Sequence, residues 1–467
     1  MFAKILNWIK ELLQKMIGQA SVKEALKVDV AISAEMASAL QVWSAMYENK
    51  ADWLNQDVQS LNLPAAIAGE IARAVTIEMQ AEFSGSARAT FLASQFAPVL
   101  RKMREQVERG CAKGGLMMKP YVSGTALAVD FVQADQFYPV SFDANGNITA
   151  CVFADQRTVG EYFYTRLEYH AMTGEGCIIR NQAFRSSTRD TLGQPVPLSY
   201  VVEWAELLPE ALIMGVERPL FAYFRYPLAN NVDATSPLGV SCYSRAVNLI
   251  RDADVQWSNL LWEFESGKRA VYVDTLAFGK DAQGQAKLPN KRLYRALDAG
   301  GQKDDFFQAW SPEFREASIK SGLNAILQRI EFNCGLAYGT LSDPEAVEKT
   351  ATEIAVSRQR TYATITDTQK TLQAALEQLI WAMDVWATLG KLAPRGTYQV
   401  VYSFDDSVVV DKDAQFQQDL RLVGAGIMSK IEFRMRNFGE DEVTAKKKLA
   451  QVSAEQPETT FFEGATA

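Results

Sequence analysis

SPEFREASIKSGLNAILQRIEFNCGLAYGTLSDPEAVEKT, residues 311–350, decides how the rest of the chain is read. Ser311-Pro312 and Asp343-Pro344 each pair a capping side chain with a proline suited to the first helical turn, where the missing N–H costs nothing. Between them Ile319, Leu323, Ile326, Leu327, Ile330 and Cys334 recur at helical spacing until Gly335. Gly339-Thr340-Leu341-Ser342-Asp343 then reads as a short loop with a glycine hinge, where two helices fold back or kink. Beyond it Val347, Ala351, Ile354, Ile365, Leu372, Leu376, Leu379, Met383 and Trp386 carry one apolar face to Gly390. The same signal, Ser236-Pro237, precedes Tyr243, Ala246, Val247, Ile250, Trp257, Leu260, Leu261 and Phe264, which lead to Gly267. At about 1.5 Å per residue the first of these three rods would span roughly 40 Å and the last roughly 65 Å. Such lengths suit an elongated or assembled object better than a compact enzyme domain.

Outward from the rods the character changes. Between the first two, Ala270-Val271-Tyr272-Val273 alternates like a strand and Lys291 to Leu297 is a second strand candidate. Lys268, Arg269, Lys291 and Arg292 make this small αβ insertion basic, suited to nucleic acid or a protein partner if not simply solvated. Toward the N-terminus, Leu63 to Phe83 and Ala87 to Val107 read as helices. A β meander follows from Gly114, with Asp143-Ala144-Asn145-Gly146-Asn147 as a hairpin turn. His170 ends one of its strands and is expected to have a structural partner. Toward the C-terminus, Tyr398 to Tyr402 and Val408 to Val410 read as a strand pair around Asp405-Asp406-Ser407. Gln415 to Val452 is helical with breaks at Gly424, Gly426 and Gly439, and residues 456–467 carry no periodic signal.

Composition narrows the function. Apolar residues at 48% and charged residues at 22% describe an ordinary globular chain, and a net charge of −8 disfavours a globally basic nucleic-acid binder. An acidic protein can still handle DNA that it must not grip, because phosphate neutralisation is what creates affinity. The five cysteines form no CxxC pair and read as buried free thiols, and a single histidine makes histidine-based triads or metal sites improbable. No phosphate loop, dinucleotide turn, GxSxG elbow or HExxH helix occurs. Neither a metal nor a cofactor is expected. No apolar run is long enough to span a membrane. Phe2, Ile5, Leu6, Ile9, Leu12, Leu13 and Met16 instead mark one face of an amphipathic N-terminal helix, docked on protein or at a membrane surface.

With those residues in view, the chain resembles the portal proteins of tailed double-stranded DNA bacteriophages, in the branch typical of Gram-positive siphophages and prophages. The resemblance covers nearly everything after the first helix. Its most specific pieces are Glu217-Arg218-Pro219-Leu220-Phe221, Ser236-Pro237-Leu238-Gly239-Val240-Ser241, Gly339-Thr340-Leu341-Ser342, Lys349-Thr350-Ala351-Thr352-Glu353-Ile354 and Phe404-Asp405-Asp406-Ser407. It implies an elongated multi-domain α+β subunit. Residues 1–235 with the strands of 391–411 would form a mixed wing, 236–267 and 312–338 the stem helices, and 268–311 a small αβ clip. Residues 339–346 would be a tunnel loop, 347–390 a long kinked helix, 412–455 a helical crown and 456–467 a disordered tail.

The resemblance further implies a non-enzymatic ring, commonly of twelve copies, at one capsid vertex of the virion, assembled in the host cytoplasm. Double-stranded DNA would pass through it during packaging and ejection. Terminase large subunit, a head-completion adaptor, and major capsid and scaffolding proteins would be its partners, with no membrane. Thr340, Leu341, Ser342 and Asp343, with Lys349 nearby, would face the duplex, and Lys268, Arg269, Lys291 and Arg292 would serve partner docking at the clip. Two other readings stand beside it: a non-viral helical adaptor that binds only proteins, and a carboxylate-dependent enzyme built on Asp405 and Asp406.

Overall fold

The computed structural model describes residues 19–266, 270–274, 294–297, 307–310, 313, 315–343, 351–404 and 412–455. Helices and sheets combine in an α+β fold, and the chain divides after Phe404 into two compact units.

The first unit opens with α1 (Gln19–Leu26), α2 (Ala34–Tyr47) and α3 (Leu63–Thr76), followed by β1 (Gln80–Gly85) and α4 (Ala87–Lys113). Ser33 starts α2 by accepting the Met36 N–H at 3.3 Å, satisfying one of the orphan donors of the first turn. The helix expected from Leu63 to Phe83 stops at Thr76, and its last residues are a strand instead. β1 pairs antiparallel with β14 (Tyr398–Ser403), Phe83 opposite Val400. β14 therefore finds its partner near the start of the unit; Val408 to Val410, expected to pair with it, lie outside the described residues.

β2 (Gly115–Ser123), β3 (Ala126–Gln133) and β10 (Ala222–Arg225) form one sheet in the order β10-β2-β3. β4 (Phe137–Phe142), β5 (Ile148–Val159), β6 (Tyr162–Thr173), β7 (Gly176–Ser186) and β8 (Gln194–Val196) form the meander, and β9 (Glu210–Met214) also pairs with β7. The turn between β4 and β5 is the anticipated one. Asp143 accepts the Asn145 and Asn147 N–H groups at 2.8 Å each, and Gly146 takes a φ of +80°.

The two faces of β6 show how alternation sorts chemistry. Leu167 joins Val22, Tyr138, Val152, Phe184 and Leu192 in an apolar cluster. On the opposite face Arg166, Glu168 and His170 meet Lys119 of β2. Glu168 receives Lys119 and, at 2.9 Å, Arg166 on one oxygen, and His170 Nε2 at 2.7 Å on the other. Phe153 and Phe221 pack their rings 5.5 and 6.1 Å from the imidazole, closing the site to water. Burial opposes the Glu168 charge, yet Lys119, His170 and Arg166 outweigh it and hold the carboxyl well below its usual range. Burial pushes His170 below the ordinary histidine value in spite of Glu168. The histidine has the structural partner expected of it.

Three further helices lie toward the C-terminal end of this unit: α5 (Val247–Ser266), α6 (Glu316–Cys334) and α7 (Ala351–Leu389). α5 begins well after Ser236-Pro237, preceded by a single turn of 3-10 helix over Ser244–Ala246. At 20 residues it is about 30 Å long rather than roughly 40 Å. The stretch from Ser236 to Tyr243 is a buried irregular strap. A Cβ on Gly239 would collide with the Gly114 carbonyl, Cys242 donates its N–H to Cys111 O at 2.9 Å, and Tyr243 donates its hydroxyl to Trp43 O at 2.8 Å. α7, with 39 residues, is about 58 Å long.

Between α5 and α6, β11 (Ala270–Asp274), β12 (Tyr294–Leu297) and β13 (Phe307–Trp310) form a sheet in the order β12-β11-β13. The third strand, only four residues long, escaped the periodicity reading. At the other side of this insert, Arg315 precedes the first residue of α6 and ties the helix to α5, its guanidinium 2.8 Å from Glu263. The second unit holds α8 (Lys412–Gly424), α9 (Lys430–Phe438) and α10 (Glu442–Glu455). Phe416, Phe433 and Phe438 cluster in it, and Arg434 with Lys448 hold the Glu440 carboxyl down at about 2. All five cysteines are buried free thiols, as read from their spacing. Among the described residues, no helix is long and apolar enough to cross a membrane. The N-terminal amphipathic stretch, Asp405-Asp406 and residues 456–467 lie outside the described residues.

Candidate functional site

The joint after α6 is where the chain concentrates unusual geometry. α6 buries Leu323, Ile330 and Cys334, and Glu331 sits on the same face, four residues after Leu327, with no exposed surface. It also lies in the last turn, where the helix dipole disfavours a negative charge. Gly335 ends the helix in the left-handed region at φ +72°, and its N–H bonds back to Phe332 O at 3.3 Å. The Thr364 hydroxyl of α7 donates to the Gly335 carbonyl at 3.1 Å, and a Cβ here would collide with that hydroxyl. The stop signal is thus also a contact point between α6 and α7.

The chain then reverses along α6. Glu331 Oε1 accepts the backbone N–H groups of Gly339, Leu341 and Ser342 at 3.1, 2.6 and 2.8 Å, and Oε2 accepts the Ser342 hydroxyl at 2.8 Å. Two helical turns earlier on the same face, Asn324 accepts the Asp343 N–H at 2.7 Å. Gly339 takes φ +90°, which lets the N–H groups on both sides converge. Thr340 donates its hydroxyl to Ala337 O at 2.6 Å. From the α7 side, Arg360 stacks 4.3 Å from the Phe332 ring and 5.8 Å from Tyr338.

The residues expected to face a duplex separate here. Thr340 and Asp343 are exposed, Leu341 is half-buried, and Ser342 is turned inward onto Glu331. Lys349 lies outside the described residues, as do Lys268, Arg269, Lys291 and Arg292. The joint therefore displays two side chains at its tip and fixes the rest. Glu331 and Asn324, which do the fixing, were not singled out from the sequence. Their signal was an acidic residue on the apolar face of α6, shortly before a glycine-containing polar loop with unpaired N–H groups.

Along the N-terminal half of α6, beside the Glu263–Arg315 pair, α5 and α6 leave a groove of about 580 Å³ lined by Gln256, Asn259, Trp262, Ser318, Gly322 and Ile326. Trp262 is 63% exposed and Phe332 48%, high values for aromatic side chains on a helix pair. No group of three or more His, Cys, Asp or Glu side chains suited to a metal occurs among the described residues.

A family model described as "Phage portal protein, SPP1 Gp6-like" matches residues 99–459, which takes in the meander, the three long helices, the joint and the C-terminal unit. The chain belongs to this portal family. Among solved structures, it is similar to a chain of the "Neck of native GTA particle computed with C12 symmetry", at 13% identity and a TM-score of 0.46. That likeness covers 87% of this chain and 94% of the other. No curated protein matches the chain. In this member of the portal family, α6, the joint and α7 all fall within the matched residues.

Proposed function

We propose that this portal-family chain works as a closed homo-oligomeric ring of twelve copies at one vertex of the capsid. Double-stranded DNA passes through the ring during packaging and ejection, and the chain supplies no catalytic residue. The observation that carries this reading is the carboxylate-pinned turn after α6, which among the described residues 335–343 leaves only Thr340 and Asp343 exposed. Those two side chains, one neutral and one acidic, supply no cation to grip a phosphate, which suits a moving duplex. The exposed Trp262 and the groove it lines support the ring, since a neighbouring copy would cover them with a different surface and close the circle. Terminase large subunit, a head-completion adaptor, and the major capsid and scaffolding proteins are the partners of such a ring.

Deleting residues 339–343 and closing the gap with two glycines tests the reading. The ring is expected to assemble, and DNA packaging or retention to fail. Packaging at the unaltered level in assembled rings would overturn it.

A further inference from the structure

Three backbone N–H groups and a hydroxyl converging on one point make an anion nest, the arrangement that in other folds takes a phosphate or sulfate. Here the anion is already present, because the Glu331 carboxylate fills the nest from below. Among the described residues no cation pairs with Glu331, so its charge is met by these neutral donors. Such charge-assisted hydrogen bonds are directional, and each fixes one residue of the loop. The position is costly for a helix, being a buried charge in the last turn, so its hydrogen bonds must offset that cost.

We infer that Glu331 is the positioning residue of the joint, an internal anion that holds residues 339–342 in one conformation. By occupying the nest it also keeps those N–H groups from DNA phosphates. The second part rests on the reading of this loop as facing the duplex. A loop whose amides were open would hold each passing phosphate; a loop whose amides are filled lets it pass.

Hydrogen exchange on the intact oligomer tests the first part without DNA. In the unaltered protein the Gly339, Leu341 and Ser342 amides should be protected. In Glu331→Gln, which keeps the shape but loses the charge, they should exchange at least about tenfold faster, while the centre of α6 is unchanged. Ser342→Ala removes one donor and keeps the carboxylate, so it should give a smaller increase. In Glu331→Ala, added acetate should restore protection, an effect that mere loss of packing would not produce. Unchanged exchange in Glu331→Gln, or acetate without effect in Glu331→Ala, overturns the positioning role. The second part is read from DNA movement through assembled rings. Glu331→Ala should slow it, and raising the salt concentration should relieve the drag. Altered exchange with unaltered DNA movement would uphold the positioning role and overturn the placement of the loop against DNA.

Discussion

Glu168 and Glu331 are both buried glutamates, and they are satisfied in opposite ways. Glu168 in the meander is surrounded by side chains that bring charge of their own, Lys119 and Arg166, with His170 on its other oxygen. Glu331 at the joint is met by backbone N–H groups and one hydroxyl. The first arrangement cross-links two sheets, and removing its centre leaves Lys119 and Arg166 with only the longer pairings to Asp130 at 3.7 Å and Asp155 at 3.8 Å. The second holds a loop, and weakening it frees that loop without disturbing the helices. One site belongs to the scaffold of the meander; the other sets the conformation of the loop proposed to face DNA.

The same substitution at both positions should separate them. Glu168→Gln leaves Lys119 and Arg166 buried and underneutralised, and is expected to cost about 3–5 kcal/mol of stability by denaturant unfolding. Glu331→Gln keeps an acceptor oxygen and loses only the charge, so about 1–3 kcal/mol is expected, with the change confined to the loop. Equal losses at the two sites would break the comparison.

The smallest expected effect is a pH slope. His170 is the only histidine, and its folded value lies below the ordinary one near 6.5. The unfolded chain therefore takes up the proton first. The contribution is complete above about pH 6.5 and declines as pH falls from there toward the folded value, by at most about 1.4 kcal/mol per pH unit. His170→Gln should flatten that slope. Glu168, whose folded value is depressed, stabilises above its ordinary value of 4.5, and that contribution is lost only as pH falls below it toward the depressed folded value. The His170 window opens near pH 6.5 and the Glu168 window only below 4.5, so an unchanged slope between those values in His170→Gln would contradict the role given to His170.

Much of this fold was legible because its signals are local. The Asp143 to Asn147 turn needs only Asn-Gly and a neighbouring carboxylate, and the end of α6 needs only Gly335 after an apolar stripe. Apart from the four-residue β13, the failures fall where distant segments decide. Ser236-Pro237 resembles a helix start, but the close approach of Gly239 to Gly114 turns the following residues into a strap. β1 looks like the end of α3 until β14 arrives from the far end of the unit. The turn after α6 was legible in its glycine and small polar residues, whereas its pin was not. Glu331 reads as a surface glutamate unless the loop's unmet N–H groups are counted and a partner is sought for them.

The most direct test of the central claim is electron-microscopic imaging of the purified full chain. Closed rings are expected, with a central hole wide enough for duplex DNA and with Thr340 and Asp343 lining it. Monomers or open filaments, or closed rings with the joint on the outer surface, would contradict it.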